Sequence, residues 1–206
     1  MLDPVLYRRG ATILDMGAEM GLRHNRRMSG PEECPVPENR LISPFKVAEA
    51  HHTDAFCFEF AGQVDLADFV AAFYTTWLFK LERVVLHVFA KAPTSDAQAQ
   101  ALAAGLSDTF AVWRVEGREP TEILLGERSG RTKSWLAVEP ADETTRLWFG
   151  SIVVPVERKG KLTLGPVFDS LLAAHKVYSR LLLMAAAARL ERRKYKKMGQ
   201  GARDSA

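Results

Sequence analysis

The chain has 206 residues, 47% of them hydrophobic and 26% charged, with a formal net charge of +3. That size and balance fit one globular domain with an appended arm and exclude wholesale disorder. No apolar run reaches the ~20 residues that a bilayer-spanning helix needs, so no transmembrane segment is expected.

The charge is unevenly placed. From Arg189 onward seven cations face two anions, a surplus of +5, which leaves −2 for everything before it. The basic signal therefore belongs to the tail, and no specific nucleic-acid face is expected on the body. Such a tail suits a helix end, where cations favour the dipole, and it also suits weak contact with an anionic membrane surface. Only Cys34 and Cys57 are present, with no CxxC pair. That count supports neither a disulfide framework nor a zinc or redox pair. Near the N-terminus, Asp15 and Glu19 interrupt the apolar region that a signal peptide requires. A cytoplasmic, reducing setting is the expectation.

Taken in order, residues 1–50 read as an irregular arm. A short helix is expected over Ala11–Leu22, and the prolines at 31, 35, 37 and 44 make the stretch from Ser29 an extended linker. Ala55–Ala61 reads as a strand, with Phe56, Phe58 and Phe60 on one face. Asp65 then caps a helix carrying Leu66, Phe69, Val70 and Phe73 at spacings of three, four and seven. A second helix is expected from Trp77, with Leu78, Leu81, Val84, Val85 and Val88 on one side. Ser95 or Asp96 caps a third that ends near Gly105.

Four strands follow: Phe110–Glu116, Glu122–Arg128, Ser134–Val138 and Thr144–Val156. Their short connections favour an antiparallel meander. The last of them is apolar on both faces, which marks a central, doubly covered strand. A helix from Gly165 to Tyr195 carries a wide apolar stripe, and residues 196–206 read as a basic flexible tail. The fold class expected is α+β: a curved antiparallel sheet wrapped around a long C-terminal helix, over residues 51–195.

Four segments carry a resemblance to a known family: Asp54-Ala-Phe-Cys-Phe-Glu-Phe, Phe110-Ala-Val-Trp-Arg-Val-Glu, Leu147-Trp-Phe-Gly-Ser-Ile-Val-Val and Ala174-His-Lys-Val-Tyr-Ser-Arg-Leu-Leu. With the order of elements, they resemble the START-like superfamily (SRPBCC, Bet v 1-like), within a group of uncharacterised bacterial domains. The resemblance implies a helix-grip fold enclosing an apolar cavity. It also implies a partner that is a small apolar or amphipathic molecule, such as a lipid, sterol or polyketide-like compound. It carries over no catalytic residue.

His175 is the leading candidate site residue. It shares a helix face with Phe168, Leu171, Leu172, Tyr178, Ser179 and Leu182. Three readings stand for it: a buried structural histidine, a contact for a ligand's polar end, and a general acid/base, since imidazole exchanges a proton near neutral pH. Tyr178, Phe149, Ser151, Trp113 and Trp135 join it as candidate ligand contacts. Asp54, Glu59, Arg114, Glu116 and Glu122 are expected on the solvent face, because charges are seldom buried unpaired. His51 and His52 point to opposite sides of a strand and do not form a metal pair, so neither a metal nor another cofactor is expected.

The leading expectation is a binding module for a small apolar or amphipathic ligand. The alternatives are a cyclase-, hydratase- or hydrolase-like enzyme using His175, and a structural or interaction module, with a second copy of the chain as a partner.

Overall fold

A computed structural model describes residues 30–46, 51–79, 95–158, 161–163 and 166–204, with backbone alone for 156–158, 161–163, 166–173, 197–199 and 201–204. The helix expected over Ala11–Leu22 lies outside these residues. So do most of the helix expected from Trp77 and the side chains of Phe168, Leu171 and Leu172.

The chain forms β1 (Glu32–Glu33), α1 (Ser43–Lys46), β2 (His52–Ala61), α2 (Leu66–Tyr74), α3 (Asp96–Ala103), β3 (Thr109–Phe110), β4 (Trp113–Glu119), β5 (Glu122–Glu127), β6 (Thr132–Pro140), β7 (Thr144–Val153), β8 (Val156–Arg158), β9 (Lys161–Thr163) and α4 (Pro166–Asp204). A curved, open, seven-stranded sheet has the order β1-β2-β7-β6-β5-β4-β3, with every neighbouring pair antiparallel. β8 and β9 form a separate two-stranded ribbon. The expected α+β class and the meander β4–β7 are present.

Local chemistry explains the helix starts. Asp65 caps α2 by accepting from the Asp68 N–H at 2.6 Å. Ser95 caps α3 through a capping box, with Gln98 Oε1 accepting from the Ser95 N–H at 2.8 Å. Pro166 opens α4, at the one helical position where a missing N–H costs nothing.

The two faces of the sheet have different covers. On the inner face Phe56, Phe58, Phe149, Leu136 and Ile123 pack with α2, α3 and α4 in one buried cluster. From α4 come Leu182, Leu183, Ala186, Ala187 and Leu190, at spacings of one, three and four that make a single stripe. On the outer face Ala55, Cys57, Trp135, Trp148 and Ile152 form a second cluster, covered by Ile42, Cys34, Val36, Leu41 and Phe45 of the arm.

Residues 30–46 therefore do not run as a free linker. They strap the outer face and are held there by polar bonds as well as apolar burial. The buried Glu122 carboxylate accepts from Trp135 Nε1 at 2.7 Å and from the Leu41 N–H at 2.9 Å, and Arg40 Nη1 lies 3.8 Å away. This corrects the solvent-facing expectation for Glu122. It stays buried because its oxygens are answered. Glu33 pairs with Lys176 of α4 at 2.7 Å. Cys34 and Cys57 are joined by a disulfide, with Cα atoms 6.1 Å apart, which links the arm to β2.

Other expectations need adjustment. The single strand expected over Phe110–Glu116 is broken by a tight turn at Ala111 (φ 55°) and Val112, so Phe110 pairs back on Trp113. The expected strand Thr144–Val156 is interrupted after Val153. The C-terminal helix continues to Asp204, through residues expected to form a flexible tail.

Gly150, in β7, marks a close approach of the arm to the sheet. A Cβ there would overlap the Ile42 side chain, sit 2.9 Å from Trp135 Cε3 and lie 3.2 Å from the Asp54 carbonyl oxygen. Ile42 and Trp135 are fully buried and have no room to retreat. Gly150→Ala is expected to destabilise the fold by about 1–3 kcal/mol, measured by urea unfolding; an unchanged midpoint would contradict this packing.

Candidate functional site

Antiparallel register decides which side chains stand in one row across the inner face. One row is Phe56, Phe149, Leu136 and Ile123, apolar throughout. The next row toward the end of the sheet is Asp54 on β2, Ser151 on β7 and Ser134 on β6, continued by the apolar Leu125 on β5. The three polar residues are buried. A polar row thus sits beside an apolar one inside the protein. Helices meet it from above: Tyr74 of α2 places its hydroxyl 3.4 Å from Ser134 Oγ, and His175 of α4 places Nε2 2.8 Å from Ser151 Oγ.

The hydrogen bonds fix a direction. Ser151 Oγ lies 2.8 Å from Asp54 Oδ1 and 2.8 Å from His175 Nε2, but it has one proton. Given to the carboxylate, that proton leaves Oγ to accept from an Nε2–H. The chain is then Nε2–H to Oγ–H to Oδ1, and the neutral imidazole carries its lone pair on Nδ1. Asp54 Oδ2 lies 3.3 Å from His52 Nε2 and 3.5 Å from His175 Nε2. The second distance is at the long end of the hydrogen-bond range.

Asp54 is the charged centre of this group. Burial acts to raise its pKa. The hydrogen bond and charge of His175, the Ser151 hydroxyl and the charge of His52 together outweigh burial and hold the carboxyl below its ordinary value. The residue is ionised at neutral pH. Its expected place on the solvent face is corrected, because three polar neighbours answer a carboxylate that sits at 5% relative exposure.

Next to the polar row lies a cavity of about 260 Å³ between the sheet and the helices. Phe73, Tyr74, Phe79, Phe149 and Leu182 supply apolar wall, and Ser151, Ser134 and His175 line its polar end. A larger hollow of about 530 Å³ among the ends of α2, α3 and α4 is a shallow surface groove, lined mostly by alanines and by charged and amide side chains. The smaller cavity is the better ligand site, because it joins apolar walls to a few converging polar groups.

Of the six expected contact residues, His175, Tyr178, Phe149, Ser151 and Trp113 line this one cavity. The Trp113 Nε1 atom is buried and has no hydrogen-bond partner among the described residues. Trp135 does not join them. It lies on the outer face and donates to Glu122. Glu59 and Glu116 are surface groups paired with Arg146 and Lys133, each at 2.6 Å, and Arg114 is exposed. Sequence reasoning missed Asp54, although the signal was present: continuing the period of Phe60, Phe58 and Phe56 by two residues places it on the inner face.

The metal question turns on one group. Among the described residues, Glu32, Cys34 and Cys57 bring ligand atoms within 4.8 Å of one another. Both sulfurs belong to the disulfide and offer no thiolate. No helix among the described residues is long and apolar enough to cross a membrane. Comparison of the chain with family models, with curated proteins and with solved structures yields no match.

The depressed Asp54 pKa has a signed consequence. Its contribution to stability is complete above the unfolded carboxyl pKa of about 3.9 and is lost as pH falls through the lower folded value. Asp54→Asn is therefore expected to melt below the parent protein at pH 6, with the gap narrowing as pH drops below about 4. Thermal melts across that range check it, and a gap that is constant with pH would show that the charge contributes nothing.

Proposed function

We propose that this domain binds a small, uncharged amphipathic molecule in the cavity between the sheet and α4. The ligand's apolar body lies against Phe73, Phe79, Phe149 and Leu182, and a hydroxyl or carbonyl meets the polar end at Ser151, Ser134 and His175. The observation that carries this reading is the pairing of a polar row with an apolar one at the wall of a single cavity. An ionised Asp54 at that end disfavours an anionic ligand. The volume is above the ~150 Å³ that admits benzene and below the ~300 Å³ where drug-sized sites begin, which points to one or two rings or a short chain. The likeness of the sheet and C-terminal helix to the helix-grip arrangement supports the same reading and the START-like assignment that goes with it.

Filling the cavity tests it. Leu182→Phe is expected to weaken binding of a neutral apolar fluorophore about tenfold, equivalent to ~1.4 kcal/mol, with the circular dichroism spectrum unchanged. Equal binding by parent and variant would place the ligand elsewhere.

A second reading has its own observation. His175 has a titratable neighbour and a hydroxyl at one nitrogen, as proton-transfer chemistry requires. A serine nucleophile is not supported. Asp54 approaches the same nitrogen that meets Ser151, whereas a relay to a nucleophilic serine uses opposite nitrogens of the ring. What the geometry does support is a general base at His175, with the positive imidazolium stabilised by Asp54. The reaction class is then cyclisation or hydration of a carbonyl compound. Proton–deuterium exchange at the α-carbon of small ketones, followed by NMR, is expected to be faster with the protein than with His175→Gln by about 10²–10⁴-fold. Equal rates for the two would leave binding alone.

A further inference from the structure

At the β1 edge of the sheet, on the outer face, three electron-rich side chains meet. Glu32 stands directly opposite Cys57 across the β1–β2 pair. Cys34 follows Glu32 by two residues, and its N–H donates to the Ala55 carbonyl at 2.8 Å. In extended chain that spacing sends both side chains to the same side. Backbone pairing therefore brings the three together, whatever the oxidation state of the sulfurs. Their ligand atoms lie within 4.8 Å of one another, and this is the one such group of three among the described residues. The ligands come from two strands, so no CxxC spacing announces them.

Nothing positive answers this group. Glu32 has no cationic partner among the described residues, whereas its neighbour Glu33 pairs with Lys176 of α4. Glu32 Oε1 lies 3.9 Å from Cys57 Sγ, and the Glu32 carbonyl oxygen lies 3.7 Å from Cys34 Sγ. In the disulfide neither sulfur has a proton to give these oxygens. Glu32 is exposed, Cys34 half-buried and Cys57 buried, so the group opens to solvent on its carboxylate side.

We infer that, once the disulfide is reduced, Cys34, Cys57 and Glu32 hold a zinc ion. A dithiol supplies the two electrons: it becomes its own disulfide, the Cys34–Cys57 bond breaks, and two protons pass to the two Sγ atoms. Each thiol then gives its proton to water as the ion binds, so two protons leave for each Zn2+ taken up. Two thiolates and a carboxylate are a zinc donor set, and a tetrahedral ion keeps its fourth position for water. The carboxylate disfavours copper(I), which prefers sulfur, and the thiolates disfavour magnesium and calcium, which prefer oxygen. The disulfide and the metal site exclude each other, because a sulfur in the S–S bond offers no thiolate. Both fasten the arm to β2 at the same point. The site lies on the opposite face of the sheet from the cavity and does not depend on its being occupied.

Cobalt(II), a coloured stand-in for zinc, tests it with the full chain, reduced by a dithiol and then desalted under argon. The reduced protein is expected to show a thiolate-to-cobalt charge-transfer band in the near ultraviolet, which Zn2+ displaces. The unreduced protein is expected to show none. Glu32→Gln leaves both cysteines in place and is expected to weaken Co2+ binding by about tenfold or more, since even groups that only orient a ligand cost that much. Cys34→Ser is expected to lose most of the band. The reduced protein is expected to keep its circular dichroism spectrum, because Ile42 and the Leu41–Glu122 bond also hold the arm, and to melt higher with Zn2+ than without. Four results would overturn the inference: no band after reduction, an equal band before it, unchanged Co2+ affinity in either variant, or a reduced chain that loses its fold with Zn2+ present.

Discussion

The long pairing of β2 with β7 is the constraint on which the rest depends. It runs from His52 opposite Val153 to Ala61 opposite Thr144 and joins segments far apart in the chain. Closing so long a loop carries an entropic cost, which burial along the ladder offsets. Both strands have buried residues on each face over most of their length. The same register sets Asp54 against Ser151. A slip of one residue would turn Asp54 to the outer face, beneath the arm, and break the polar row. The site is thus a consequence of strand register, and α4 only completes it.

Two buried carboxylates show how the same side-chain chemistry serves different ends. Glu122 on the outer face is surrounded by an indole N–H and a backbone N–H, with a guanidinium nearby. It ties the arm to the sheet. Asp54 on the inner face is answered by a hydroxyl and by two imidazoles. It also stands in the row that borders a cavity, where Glu122 stands under packed indole. A buried charge is weak evidence of function by itself. What separates the two is whether there is space beside them.

Much of this architecture is legible in the sequence, for identifiable reasons. The phenylalanines of β2 reveal their face because cysteine and glutamate alternate with them. Asp65 and Ser95 announce helix starts by local hydrogen bonding alone. Trp135 marks where this reasoning runs out. Trp135 through Val138 are buried on both faces, so this run has no polar member to say which parity faces the helices. Two-residue strands such as β1 and β3 are too short to show any period. The arm reads as a linker because its prolines report backbone shape and say nothing about Ile42 filling the space above Gly150. The candidate contacts from α4 were legible because a helix face can be drawn from spacing. The row on the sheet was not, because Asp54, Ser151 and Ser134 are brought together only by pairing.

The composition of α4 follows from having more than one surface to satisfy. Ala186 and Ala187 lie in the core-facing stripe, where small side chains let the helix approach the sheet and α2 closely. Near His175 and Tyr178 the helix stands over the cavity instead. One rigid element thus packs tightly at one level and spans a hollow at another, and it needs no kink to do so. Folding alone accounts for the stripe that meets the core. It gives no reason for valine, leucine, methionine and tyrosine to recur along the side facing water, where lysine or glutamate would serve a helix of this length at least as well.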